Sequence, residues 1–536
     1  MMTMLRKITL MVALMATATL SFTSCEVEDG IDGINGVDGA DGKDGVDGAN
    51  GADGADGEDG KDFTPEPTIF ENKSNLDPLV AISPQFNFVK AYSLISSSDT
   101  LSNGFILVGA QDGAGFLKDP NSDGYMYLVN AEDDYAVSRI MFDKYMNPIS
   151  GEWMLNSAVD DFARQCSGTM WEAAVHGGSR DLFLSASESF NYDVKGIDPY
   201  MTPDPDADYG LDALGEFEWE NAVPLPQGAY AGKTVIIGGD DDSSGSEGQV
   251  TMYLSENGDA DLDNGEIYVL RFKEVSDGNG GNIPVAAGQI HNEGDLDFQQ
   301  TYAVEFVKID NGAAMTQSEM EEACVAVQAS AFMRVEDVDY QKGSTANNRN
   351  IFFAVTGRGP GRGTYNDWGT VYKLELDENN PLEGQLTQIV SGNTSTNNMD
   401  GNNALLQSPD NITVTENFVY YQEDPNSFSR GHSAYIYQSD LNGNNSRVVL
   451  EFVVRQDLDP SGSTGFSGEY GALEDISDKV GEPGTFLLNL QPHYWESDSF
   501  KNQDGHNMEG RTAAIEAGAR EDDQGGQIII LKGLPR

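Results

Sequence analysis

Cysteine is scarce in this chain of 536 residues, occurring only at positions 25, 166 and 324, so no dense disulfide framework holds it together. Histidine is scarce too: five residues, far apart in sequence, exclude a metal site built mainly on imidazole. Positive charge is the third shortage. Against 88 acidic residues stand 31 Lys and Arg, a formal net charge of −57 and a pI near 4.1. A field of that sign repels nucleic acid and anionic lipid surfaces and argues against both as partners. Acidic loops in such number bind calcium readily. After the first residues no apolar run approaches the roughly 18 residues of a membrane-spanning helix.

What the N-terminus does contain is "MMTMLRKITLMVALMATATLSFTSC", a basic start, a short apolar run and small residues ending at Cys25. That order is an export signal. Because it stops at a cysteine, it reads as a bacterial lipoprotein signal over residues 1–24, with Cys25 lipidated and the protein held to the cell envelope, at an outer membrane, through that anchor alone. Residues 25–66 follow as a collagen-like Gly-x-x stalk, with eleven glycines at every third position from Gly30 to Gly60. Only glycine fits the axis of a triple helix, yet the repeat holds no proline and is loaded with aspartate. Two readings stand, an extended acidic spacer and a short trimer-forming triple helix.

From residue 67 to 536 the texture is short apolar runs broken by Gly, Asn, Asp and Ser. Strands are predicted at "GFILVGA", "GYMYLVN", "RDLFLSA", "KTVIIGG", "QVTMYLS", "GEIYVLRF", "TYAVEFVKI", "NIFFAVTG", "GTVYKLEL", "FVYYQED", "SAYIYQS", "RVVLEFVV", "TFLLNLQ" and "GQIIILKG". This is an all-β pattern, and about 470 residues of it suit a β-propeller, for which six blades are expected. One helix is predicted in "TQSEMEEACVAVQASAF", where Thr316 and Glu319 form a capping box.

"AFMRVEDVDY", residues 331 to 340, alternates like a half-buried strand but crowds Arg334, Glu336, Asp337 and Asp339 into six positions. It is either a solvated strand face with an ion pair across it or a carboxylate rim around a metal with an arginine for an anion.

Several segments taken in order resemble the PhoX-type secreted alkaline phosphatases. They are "YLVNAEDDY", "CSGTMWEA", "LFLSASESF", "LGEFEWENAVPL" before "KTVIIGGDDDSSG", "RVED" before "NIFFAVTGRG", "WGTVYKLELDENNP", "SPDNITV" before "VYYQED", and "GTFLLNLQPHYW". The resemblance spans about residues 100 to 500 and rests on the order of these segments. It implies a six-bladed propeller that holds iron and calcium at a central funnel and hydrolyses phosphate monoesters. Residue by residue it makes Cys166, Glu188, Glu220 and Glu336 metal ligands and Arg334 the phosphate clamp, and His493 falls in a family-like segment. Two family histidines are replaced, one in Asn130-Ala131-Glu132 and one in Trp219-Glu220. A thiolate selects a transition metal and carboxylates suit hard cations, and clustered cations with a guanidinium would give a phosphate ester a positive site on an acidic protein. Two functions are thus expected, a metal-dependent phosphatase and a non-catalytic calcium-stabilised propeller that binds a surface ligand, glycan or protein.

Three loops have calcium-loop spacing: Asp119, Asn121 and Asp123 in "DPNSDGY", Asp259, Asp261 and Asp263 in "DADLDNGE", and "DPDADYG". "GRGPGRGTYNDWG" lacks the Lys-Ser/Thr ending of a phosphate-binding P-loop, and Cys324, among apolar residues of the predicted helix, reads as a buried structural thiol.

Overall fold

The computed structural model describes residues 68–159, 162–189, 192–243, 247–258, 260–359, 365–393, 406–425, 428–459, 468–506 and 523–536. The chain divides into two units, residues 1–65 and 66–536. The signal, Cys25 and the Gly-x-x repeat lie outside the described residues, as does Asp259.

The described unit is an all-β propeller. Six strands start its successive sheets: β1 (Gln111–Lys118), β2 (Arg164–Trp171), β3 (Trp219–Pro224), β4 (Val335–Tyr340), β5 (Pro409–Val414) and β6 (Glu469–Asp475). Each neighbours the next around the molecule, and β6 returns to β1. From each, the chain runs outward as an antiparallel meander, for example β1, Tyr125–Ala131, Ala136–Phe142 and Pro148–Leu155. Strand Thr301–Ile309 joins the sheets begun by β3 and β4 into one of nine strands. The last sheet is completed from both ends of the unit: Lys90–Ser96 pairs antiparallel with Gln527–Lys532.

The core lies between sheets, which is why many strands are apolar on both faces. In Gln527–Lys532, Ile528 and Ile530 pack with Tyr127, Val129 and Ile140 on one side. Ile529 and Leu531 pack with Val449, Leu450 and Leu488 on the other. Successive side chains of a strand point to opposite faces, so one short run of isoleucines serves two cores. The helix Gln317–Ala326 forms with the Thr316 and Glu319 capping box. Its Cys324 is buried in an apolar cluster with Trp219 and Met320, and both Cys166 and Cys324 are free thiols.

The predicted strand "GFILVGA" is a correction, because residues 104–110 run as irregular chain and the strand begins one residue later, at Gln111. Gly109 there takes a φ of +96°, which a strand does not use. All six first strands carry a register shift near their start, between Gln111 and Ala114, Gln165 and Gly168, Trp219 and Asn221, Val335 and Val338, Pro409 and Ile412, and Tyr470 and Leu473. A bulge of this kind re-aims side chains at the end of a strand.

Close backbone approach holds the bulges together. A Cβ on Gly113 of β1 would sit 2.0 Å from the Gly168 backbone nitrogen and 2.7 Å from the Cys166 carbonyl oxygen of β2. Backbone cannot swing aside as a side chain does, so Gly113→Ala is expected to cost about 1–3 kcal/mol or more. Thermal melting checks this, and a melting temperature equal to that of the parent would show that the two strands have room to part.

Candidate metal centre

The bulges set the site. In an antiparallel pair the first residues of one strand face the last residues of its partner, so each first strand and the end of the second strand converge on one end of the ring. Arg164 pairs with Glu188, Trp219 with Asp240, Pro409 with Glu423, and Glu469 with Gln491. A cavity of about 270 Å³ opens there. First strands supply Asp112, Arg164, Cys166, Glu220, Glu336, Asp410 and Glu469, and second-strand ends supply Glu132, Glu188, Asp241, Asp424 and His493, with Arg334 just before β4.

The six residues that the resemblance singled out, Cys166, Glu188, Glu220, Arg334, Glu336 and His493, line this one cavity. Seven more were missed: Asp112, Glu132, Arg164, Asp241, Asp410, Asp424 and Glu469. Glu132, Asp241, Asp410 and Asp424 sit inside segments already quoted for their order, and the acid that recurs near the start of five first strands, Asp112, Glu220, Glu336, Asp410 and Glu469, is the signal that could have found three of the seven. The loop candidates lie elsewhere. Asp119 accepts hydrogen bonds from the Asn121 nitrogen at 2.9 Å and the Ser122 hydroxyl at 2.7 Å. Asp261 is surrounded by donors from Ser255, Asn257, Asp263 and Asn264. Asn121, Asp123 and Asp263 are exposed.

The four charges of "AFMRVEDVDY" are all engaged. Arg334, held at a φ of +68°, donates through Nε and Nη2 to the two oxygens of Asp241, each at 2.8 Å. Its Nη2 also lies 3.0 Å from Glu336 Oε1. Asp337 and Asp339 accept from the backbone nitrogens of Ile412 at 3.0 Å and Val414 at 2.7 Å, clipping β5 to β4. The stretch is therefore no solvated strand face: Glu336 turns into the cavity, and two aspartates stitch neighbouring sheets.

Cys166 is positioned by its surroundings. Its carbonyl accepts a hydrogen bond from the Asn130 amide, whose oxygen in turn accepts from the Ser185 hydroxyl at 2.9 Å. Its Sγ donates to Glu188 Oε2 at 2.9 Å. His493 Nε2 lies 3.0 Å from Glu469 Oε2, and its Nδ1 lies 2.9 Å from Gln524 Oε1, so the ring braces Glu469. Neither position at which the resemblance implies histidine carries an imidazole. Ala131 is buried, and Trp219 packs edge-on against Phe217 while its Nε1 donates to the Gly215 carbonyl at 3.0 Å.

Nine carboxyl groups and one thiol face two guanidinium groups and one imidazole here. Burial, then Glu132, pushes Asp112 well up, and burial, then Asp112, does the same to Glu220. Burial, then Glu469, raises Asp410. Burial outweighs Arg334 at Glu336, and burial followed by Asp133 lifts Glu132 to about 7. The Cys166 thiol is pushed up by burial, then by Glu188. Glu188 is the exception, held low against burial by Arg164.

A cation reverses such crowding. Among the described residues, four groups bring their ligand atoms within 4.8 Å of one another: Asp112, Cys166 and Glu220; Glu132, Cys166 and Glu188; Glu220, Glu336 and Asp410; and Asp410, Asp424 and Glu469. The all-oxygen groups fit calcium, and the two sharing Cys166 fit a thiophilic transition metal such as iron.

The sequence matches no protein-family model and no curated protein. Among solved structures, a GH43 β-1,3-galactosidase with galactodeoxynojirimycin is 10% identical, covering 74% of this chain and 90% of that one, with a TM-score of 0.31. An α-L-arabinofuranosidase from Podospora anserina with cellotriose is 10% identical over 70% of this chain and 97% of its own, TM-score 0.29. A lignostilbene dioxygenase from Pseudomonas brassicacearum is 8% identical over 80% and 90%, TM-score 0.30. Likenesses at this level leave the chemistry to the chain's own residues.

Proposed function

We propose that this is a metal-dependent hydrolase of phosphate monoesters, a six-bladed relative of the PhoX-type phosphatases carried on a lipidated Cys25 at the bacterial cell envelope. The observation that supports the reading is the convergence on one cavity of Cys166, Glu188, Glu220, Arg334, Glu336 and His493, drawn from distant segments. Calcium and iron bound there would supply Lewis acidity and a water of lowered pKa. Cys166, Glu188, Glu220, Glu336 and Asp410 would hold them. The chain's own part is to present those ligands, to brace Glu469 with His493, and to set guanidinium charge beside the phosphoryl group. Arg334 contributes to that charge while its Nε and Nη2 stay on Asp241.

A second reading, a calcium-stabilised propeller that binds a glycan or protein at the surface, is favoured by Ala131 and Trp219, both buried where imidazoles are missing. Elemental analysis of the full chain together with assays on p-nitrophenyl phosphate and aryl glycosides separates the two. Bound iron and calcium with phosphatase turnover lost in Cys166→Ala is the expected result. Calcium alone with no turnover, or turnover of glycosides only, would overturn the phosphatase reading.

A further inference from the structure

Two guanidinium groups line the cavity, and they are held very differently. Arg334 is committed. Its Nε and Nη2 form a fork onto Asp241 at 2.8 Å each, its Nη2 also faces Glu336, and both of those acids are buried. Bidentate pairing of this kind is the strongest arrangement a guanidinium makes, and pulling Arg334 away would strand two buried carboxylates.

Arg164 opens β2 and pairs across the sheet with Glu188. Its backbone nitrogen donates to the Ser189 hydroxyl at 3.2 Å, so the base of the side chain is fixed. The head is not gripped in the same way. Its ion pairs run from Nη1 to Glu188 Oε2 at 3.5 Å and from Nε to Glu132 Oε1 at 4.0 Å, both beyond the 2.7–2.9 Å or so of a charge-assisted hydrogen bond. The side chain is 33% exposed, against 21% for Arg334. Both facing carboxylates belong to the group Glu132, Cys166 and Glu188, whose ligand atoms lie within metal-binding distance of one another. A cation in that group would claim the negative charge that now balances Arg164.

We infer that Arg164, rather than Arg334, is the residue that binds the substrate's anion, donating to the non-bridging oxygens of a tetrahedral phosphoryl group. The inference rests on the reading of the cavity as a phosphate-ester site and deepens it by assigning the clamp. Arg334 then is a positioning residue, holding Asp241 and Glu336 in place.

Calorimetric titration of inorganic phosphate into the full chain loaded with iron and calcium tests this, with metal content and melting temperature measured on every variant. Arg164→Gln is expected to weaken phosphate binding at least 10-fold with metal content unchanged, and Arg164→Lys to restore part of the affinity as a single-point donor. Arg334→Lys is expected to lower the melting temperature and to change phosphate affinity less than Arg164→Gln does. Phosphate binding at parent affinity in Arg164→Gln, with loss in a folded Arg334→Lys, would overturn the assignment and leave the phosphate-ester reading standing. A parent chain that neither binds nor hydrolyses phosphate would overturn both.

Discussion

Glu220→Gln is expected to strip metal from the cavity and to reduce turnover about 100-fold or more, while making the metal-free protein more heat-stable. Glu220 is buried and belongs to two of the four ligand groups, one with Asp112 and Cys166 and one with Glu336 and Asp410. A shared ligand takes both groups with it when it goes. Even outer partners of a metal site cost roughly 10–100-fold in affinity or activity, and a direct ligand costs at least that. The stability effect has the opposite sign, because without a cation Glu220 is a buried acid crowded by Asp112 and Asp410. Glutamine keeps the shape and removes the charge. Elemental analysis, turnover and melting in chelator read the three effects. Glu305→Gln, which breaks only the partly exposed pair with Arg271, serves as the control and is expected to change stability by no more than about 1 kcal/mol. A Glu220→Gln protein that keeps its metal would remove Glu220 from the centre.

In chelator, the protein is expected to lose stability as the pH rises, and calcium is expected to restore it most at high pH. Burial, then Asp133, lifts Glu132 from 4.5 to about 7. Burial, only partly offset by Arg334, lifts Asp241 from 3.8 to about 7. The folded state therefore holds these protons more tightly than the unfolded chain does. Their contribution is whole below about pH 4 and is lost as the pH climbs to about 7. Asp112, Glu220, Glu336 and Asp410, raised further, extend the decline. Calcium competes with those same protons, and at 100 times its dissociation constant one ion adds about 2.7 kcal/mol. Calorimetric melts at about pH 5.5 and pH 8, with chelator and with calcium, should show a larger calcium-induced rise at pH 8. A calcium-free melting temperature that increases from pH 5.5 to 8 would mean that the carboxylates are already relieved.

The outer strands were legible in the sequence and the inner ones were not. "GQIIILKG" announces itself because burial between two sheets demands β-branched residues, and "TYAVEFVKI" because one face is buried and the other is not, which gives a clean alternation. Of the six first strands only β4 was read as a strand, in "AFMRVEDVDY". The others, such as "QDGAGFLK", "WENAVP" and "PDNITV", carry Gly, Asp, Asn and Pro, residues that strands disfavour. Their composition answers to the cavity they line. A bulge needs small residues where backbones meet, and the cavity needs carboxylates. The site residues were found through segment order, which reached Cys166 and Glu220 but passed over Arg164, two residues from Cys166 in the same strand. Its role depends on the distances of Glu132 and Glu188, which sequence spacing does not give.

The pairing of Lys90–Ser96 with Gln527–Lys532 also bears on how the protein is made. The last sheet lacks that contact until residue 532 has left the ribosome, at about 5–20 residues per second, so the early strand waits for its partner until the intervening sheets have been made. Ring closure is then a late, long-range event of the slow-folding kind. A nonsense change between Gln491 and Gln527 would leave Thr485–Gln491 as an open sheet edge and Lys90–Ser96 with no strand to pair with, a product fit for proteolysis or aggregation rather than for reduced activity.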